Sequence, residues 1–213
     1  MGGPNIVPYS QYGIKPGSVQ TAIPVLAIIT IIIDLPVLMI HGKNRNFPCL
    51  CMVSWLVLLN FFSLVNSLIW REPEVKNWWS GVGLCDIEVK LIGASYSGVP
   101  TCLICLFANL ASLLDTRRTA LFQSRARRWR KRAFEFTLCI VVPIIMIITS
   151  YIVQPNRYAV FQTTGCVPMY DQSAPSIALF YIWPPIFCIV AAFYCGKVLL
   201  ARLLLLFFMA RPR

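Results

Sequence analysis

Apolar residues run along this chain in five long blocks, roughly 19–40, 49–70, 87–114, 134–152 and 177–194, separated by short polar stretches. A helix crossing a ~30 Å hydrocarbon core needs about 20 such residues. None of the blocks alternates apolar and polar positions with the period of two that a barrel strand requires. Pro24, Pro36, Pro100, Pro143, Pro184 and Pro185 lie inside the blocks. Helices in lipid tolerate them, because neighbouring helices satisfy the freed carbonyls. The pattern predicts an all-α integral membrane protein, a helical bundle of five transmembrane helices. Residues 1–18 read as an N-terminal tail, 19–209 as the bundle and 210–213 as a C-terminal tail.

Composition agrees with this reading. Of 213 residues, 58% are hydrophobic and 13% charged, against the roughly 25% charged of a soluble domain. Mean hydropathy is +0.70. The net charge of +11 does not point to nucleic acid, because it is concentrated between the apolar blocks. Fourteen of the nineteen Lys and Arg residues fall in 42–48, 115–133 and 196–213, four in 1–18, 70–82 and 152–175, and Lys90 lies inside a block. The positive-inside rule then puts the first set in the cytoplasm and the N-terminus outside. The N-terminal residues lack a basic region followed by an apolar core, so no cleaved signal peptide is expected. They also lack the Ser or Thr of a myristoylation signal.

Topology sorts the nine cysteines. Cys102, Cys105, Cys139 and Cys188 lie within blocks, while Cys49, Cys51 and Cys195 lie at cytoplasmic ends, where thiols stay reduced. Only Cys85 and Cys166 fall on the outer side. A bridge between them, stapling the loop before the fifth block to the top of the third, is expected; two unpaired thiols sharing a face are the alternative. The Cys49-x-Cys51 pair has no nearby His or Cys partner, so no metal is expected. Palmitoylation there is a weak alternative.

Polar positions inside the blocks mark helix faces. In the third block Lys90, Ser97, Thr101, Cys105, Asn109 and Ser112 recur at steps of three, four or seven, which keeps them on one side. Asn60, Ser63 and Ser67 do the same in the second. Interhelical hydrogen bonding is the plain explanation for most of them. Lys90 has two readings: it snorkels, or it pairs with Asp86 or Glu88. Asp34 has no partner on its own helix and is weighed equally as a functional intramembrane charge and a structural one. The basic stretch 115–133 reads equally as a lipid-attracting surface and as a docking surface for a cytoplasmic partner. No enzyme motif, cofactor loop or carboxylate pair is apparent.

Trp79, Gly81, Gly83, Cys85, Asp86, Ile87 and Lys90, with Asn109-Leu110-Ala111 and Gly165-Cys166, resemble the fungal pheromone receptors of the a-factor-receptor class, the class D G-protein-coupled receptors. The resemblance implies a seven-helix receptor of which this chain carries the first five helices. It implies a farnesylated peptide mating pheromone as ligand, a heterotrimeric G protein as cytoplasmic partner, and a plasma-membrane location. By the same resemblance, the Cys85–Cys166 staple and the polar groups Asp34, Asp86, Lys90, Ser97 and Thr101 shape the ligand groove. Arg117, Arg118, Arg125, Arg127 and Arg128 face the G protein. With five blocks against seven, the chain reads as a receptor shortened before the sixth and seventh helices, its apolar tail after Arg202 either lying along the inner surface or being an unnatural end. Two alternatives are a non-signalling fragment that binds full-length receptors, and a small transporter or channel using Asp34 and Lys90.

Overall fold

The computed structural model describes residues 5–7, 16–72, 78–114 and 125–209, with side chains described between 20 and 203 of those ranges. Five helices are long and apolar enough to cross a membrane: Gln20–Lys43, Phe47–Ile69, Leu84–Leu114, Arg125–Val153 and Ala174–Leu203. They are called here the first to fifth spans. The chain is a multi-pass membrane protein built as a helical bundle.

The helices run past the apolar blocks at several ends. The first begins at Pro16 and the third at Leu84, and the fourth reaches back to Arg125 through a basic stretch outside its apolar block. The last continues as helix to Met209. Proline explains two local irregularities. Thr137–Val141 and Ile177–Tyr181 are π-helical turns, one just before Pro143 and the other just before Pro184 and Pro185. A proline ring clashes with the carbonyl four residues earlier and donates no hydrogen bond. One wider turn relieves that clash without breaking the helix. The first two spans are joined by a tight reversal in which Arg45 takes a φ of 52° and Asn46 N–H donates to His41 O at 3.1 Å.

The third span is the centre of the bundle, packing against the second, fourth and fifth. Its buried positions include Gly93, Ala94, Ser95, Ser97 and Gly98. Small residues allow helices to approach closely where lipid supplies no hydrophobic drive.

A small sheet is added to the helical bundle. Strands β1 (Asn5–Val7), β2 (Ala159–Phe161) and β3 (Gly165–Val167) lie in the order β1-β2-β3. β1 runs parallel to β2, and β2 and β3 form an antiparallel hairpin that pairs Val160 with Cys166. Three residues per strand are too few for an alternation signal, which is why the hydropathy pattern did not foretell them. The hairpin closes one end of the bundle, called here the disulfide end. The opposite end carries the basic start of the fourth span.

Candidate functional site

The disulfide end is built on the junction between residues 78–83 and the third span. Trp70, fully buried, stacks on Trp79 with ring centroids 6.2 Å apart, and its indole N–H donates to Trp79 O at 3.1 Å. Gly81 has a φ of 73°, and a Cβ there would overlap Cys85 Sγ. Only glycine lets the chain turn this closely over the sulfur. Cys85 and Cys166 are joined as a disulfide, 81 residues apart in sequence. Trp70, Cys85, Val89, Tyr158, Val160 and Cys166 form one buried cluster around it.

Polar contacts fix the hairpin from below. Thr163 N–H donates to Trp70 O at 2.9 Å, and Tyr158 O–H donates to Ser80 O at 2.8 Å. Asn66 Nδ2 donates to the Glu88 carboxyl and, at 2.8 Å, to Thr164 O. Glu88 is fully buried, and neither its Oε2 nor Asn66 Oδ1 finds a partner among the described residues. Gly165, at a φ of 76°, lies so close that a Cβ would overlap the Asn66 side chain. Buried polar atoms are nearly always satisfied, so this pair is a notable concentration of unmet hydrogen-bonding capacity. On the surface beside it, Arg157 grips Asp86 with two bonds, Nε to Oδ1 at 3.1 Å and Nη2 to Oδ2 at 2.6 Å. That carboxylate holds the Arg157 guanidinium above its usual range. Burial raises the Tyr158 hydroxyl above its usual range.

A second polar feature lies toward the fifth span. The Tyr170 ring packs against Phe180 in a tilted arrangement, centroids 4.2 Å apart, and meets Tyr181 edge-on at 6.2 Å. Its hydroxyl is buried without a partner among the described residues, and burial raises its pKa.

The residues singled out from sequence go to different places. Asp86 binds Arg157. Lys90 binds neither Asp86 nor Glu88; its Nζ donates to Ser150 Oγ at 3.2 Å and to Gln154 Oε1, and lies 3.6 Å from the Tyr151 ring centroid. Ser97 Oγ is buried and unpartnered among the described residues, whereas Thr101 Oγ1 donates to Ser97 O at 2.9 Å. Farther along the same stripe, Cys105 Sγ lies 3.9 Å from Cys139 Sγ and Asn109 Nδ2 donates to Glu135 Oε1 at 2.8 Å. At Lys90, Cys105 and Asn109 the stripe is therefore a seam to the fourth span. Asp34 is half-buried on the first span, and no hydrogen bond or ion pair among the described residues joins it to Lys90. An ion path through both gains no support from this arrangement. Arg117 and Arg118 lie outside the described residues. Arg125, Arg127 and Arg128 are exposed at the basic end.

Asn66 and Arg157 were not among the candidate site residues read from the sequence, although Arg157 was counted for topology. Asn66 is a polar residue inside an apolar block, adjacent to Ser67, which was noted. Arg157 is the lone basic residue of 152–175. Both signals were present and were not read as belonging to a site. Among the described residues no group of three or more His, Cys, Asp or Glu is placed to hold a metal.

Against this geometry, the model of the pheromone A receptor family matches residues 22–205, which takes in all five spans and both ends of the bundle. The chain belongs to the pheromone A receptor family. Its relatives include the pheromone a factor receptor of Saccharomyces cerevisiae, 26% identical over 182 residues, covering 85% of this chain and 38% of that protein. The pheromone M-factor receptor of Schizosaccharomyces pombe is 27% identical over 173 residues, covering 81% of this chain and 46% of that one. The pheromone B beta 1 receptor of Schizophyllum commune is 30% identical over 153 residues, covering 71% and 27%. The chain thus spans less than half the length of these relatives. No solved structure matches it. The pheromone A receptor family is a receptor family, not one of enzymes.

Proposed function

We propose that the chain forms the first five helices of a G-protein-coupled pheromone receptor, taking a lipidated peptide at the disulfide end and meeting a heterotrimeric G protein at the basic end. The observation that carries this reading is the family match running through both ends of the bundle. The disulfide end then faces outside with the N-terminus, and the basic end faces the cytoplasm with the C-terminus, at the plasma membrane. The distribution of Lys and Arg supports that orientation.

The chemistry of the disulfide end suits such a ligand. A lipidated peptide needs apolar walls and a few orienting polar groups. Tyr181, exposed beside half-buried Tyr170 and buried Phe180, supplies apolar surface. The Tyr170 and Ser97 hydroxyls, without a partner among the described residues, supply hydrogen-bonding capacity. Asp86 and Thr101 are engaged within the protein, so they act on a ligand through the shape they maintain. Lys90, held by the fourth span, sets the spacing of the third and fourth spans.

The test uses cells lacking other pheromone receptors, expressing the chain with an N-terminal epitope. Antibody labelling of intact cells, together with saturable binding of a farnesylated peptide over its unfarnesylated form, is the expected result. Labelling only after permeabilisation would overturn the orientation. Equal, non-saturable uptake of the two peptides would overturn the ligand class.

A further inference from the structure

One side of the fourth span carries two features, a cleft at the basic end and an apolar cavity that the receptor reading does not use. At the basic end, Arg125, Arg128, Trp129 and Arg132 surround a cleft of about 320 Å³. Toward the middle of the bundle, Cys139, Ile140, Pro143, Ile144 and Ile147 form one wall of an apolar cavity of about 430 Å³, whose other wall includes Trp55 and Leu58 of the second span. Positions 125, 128, 129, 132 and 136 succeed one another at steps of one, three or four, as do 143, 144 and 147, so each set keeps to one side of the helix; the π-helical turn Thr137–Val141 lies between the two sets. Between the two features, Phe136 stacks on Phe47 of the second span at 6.4 Å. Cleft and cavity therefore succeed one another in a line along the fourth span, the cavity being shared with the second.

We infer that this line is a binding site for an anionic phospholipid whose headgroup carries more than one phosphate, with an acyl chain lying in the cavity. Depth is the first argument. Residues 133–153 form about 30 Å of helix at 1.5 Å per residue, which fills the hydrocarbon core. The turns from Arg132 back to Arg125 then occupy the next 10 Å or so, the headgroup layer. Trp129, 65% exposed, sits where indole rings prefer to lie. A water-soluble protein meets such a depth only at its rim, whereas a lipid headgroup resides there.

Charge is the second argument. Arg125, Arg128 and Arg132 have no ion-pair partner among the described residues, while Lys131 on the other side pairs with Glu135 at 3.9 Å. Three guanidinium forks around one concavity match phosphate oxygens in bidentate fashion. A single phosphodiester offers one charge against three, so a headgroup with additional phosphates fits better. The cavity supplies the other half of the ligand. Its volume lies within the range of lipid-sized and drug-sized sites, and its walls are apolar at a depth only an acyl chain reaches. Of the arginines assigned from sequence to the G-protein surface, Arg125 and Arg128 thus belong to the lipid cleft, and Arg127 projects from the opposite side of the helix.

Native mass spectrometry of the detergent-purified chain tests this with dioleoyl phosphatidylinositol bisphosphate and dioleoyl phosphatidylserine. The bisphosphate lipid should form adducts at concentrations about tenfold lower than phosphatidylserine, given roughly equal contributions from each basic residue at a surface. The triple variant Arg125→Gln/Arg128→Gln/Arg132→Gln should lose that preference. The charge-matched triple Arg127→Gln/Arg130→Gln/Lys131→Gln should keep it. Filling the cavity with Ile144→Trp should weaken the long-chain lipid and leave binding of soluble inositol trisphosphate unchanged. A bisphosphate lipid bearing a diazirine in its acyl chain should label the wild-type chain within 139–147, a readout that needs no variant to fold. Equal retention of the two lipids, equal damage from the two triples, or labelling spread evenly over the five spans would overturn the site. So would loss of G-protein binding, without loss of lipid, in the first triple; that result would give the cleft to the protein partner.

Discussion

At the disulfide end, the Cys85–Cys166 bond, the Asn66 bond to Thr164 O and the Thr163 bond to Trp70 O tie the 154–167 loop to the second and third spans, which the buried Asn66–Glu88 pair joins to each other. At the basic end, among the described residues, a hydrogen bond from Asn109 to Glu135 and a ring stack between Phe47 and Phe136 join the second, third and fourth spans. The first end is held by contacts that bridge 22 to 98 residues of sequence. The second is held mainly by a helix that leaves the bundle and ends in exposed arginines. Rigid surfaces bind with less ordering cost, and elements that move are drawn from the less stable parts of a fold. The two ends are thus built for different work, the one to present a fixed surface and the other to change its contacts.

Cutting the strongest tie tests that contrast most severely. Cys166→Ser removes a cross-link spanning 81 residues, for which the chain-entropy account gives about 4 kcal/mol. The expected result is a clear fall in Tm, with hydrogen exchange rising through residues 158–167 and unchanged through 125–136. Equal loss of protection at both ends would mean that they unfold as one unit, and the contrast would fail.

Next in size is the buried pair. Asn66→Leu leaves the Glu88 carboxyl enclosed with no donor, and about 3 kcal/mol is the expected loss for an abandoned buried acid. Glu88→Gln keeps an acceptor facing Asn66 and should cost under about 1 kcal/mol. The double variant with Leu at both positions should recover much of the loss in Tm, because it removes both unmet groups. No recovery would show that Asn66 acts mainly through Thr164 O and the hairpin.

Much of this architecture was legible beforehand. Five spans followed from hydropathy alone, because the bilayer demands about 20 apolar residues per helix. The cysteine census left Cys85 and Cys166 on one side, and the structure bonds them. What the sequence hid was pairing between distant residues. Lys90 had two acidic neighbours on its own helix, yet it reaches Ser150 and Gln154 across the seam, because a side chain at that position projects toward the fourth span rather than along the third. Asp86 instead takes Arg157, 71 residues away. Glu88 gave no sign of full burial, since its i+2 spacing from Asp86 hides that the two point to different sides of the helix. The π-turns were foreshadowed by Pro143 and by Pro184 and Pro185, although a proline alone does not say whether a helix will kink, widen or stop.

A smaller effect is expected at the basic end. Asn109→Leu removes the bond to Glu135, and interhelical hydrogen bonds in membranes average about 0.6 kcal/mol. Tm should barely move, while hydrogen exchange through 125–136 should rise. A loss as large as that of Asn66→Leu would make the two ends equally rigid.

The smallest expected effect separates two explanations for the rigidity of the disulfide end. Asp86 and Arg157 form a two-point ion pair, but their side chains are 34% and 47% exposed. Exposed pairs contribute little, because water screens them and both side chains lose freedom. Asp86→Asn should therefore leave Tm unresolvably different from wild type. It should still loosen residues 155–158 locally, and it should abolish the salt dependence of their hydrogen exchange, since salt at about 0.5 M shortens the screening length to a few ångströms. If Tm fell instead by as much as it does on loss of the disulfide, surface electrostatics would be what fixes this end. The covalent and buried contacts would then follow from that arrangement rather than determine it.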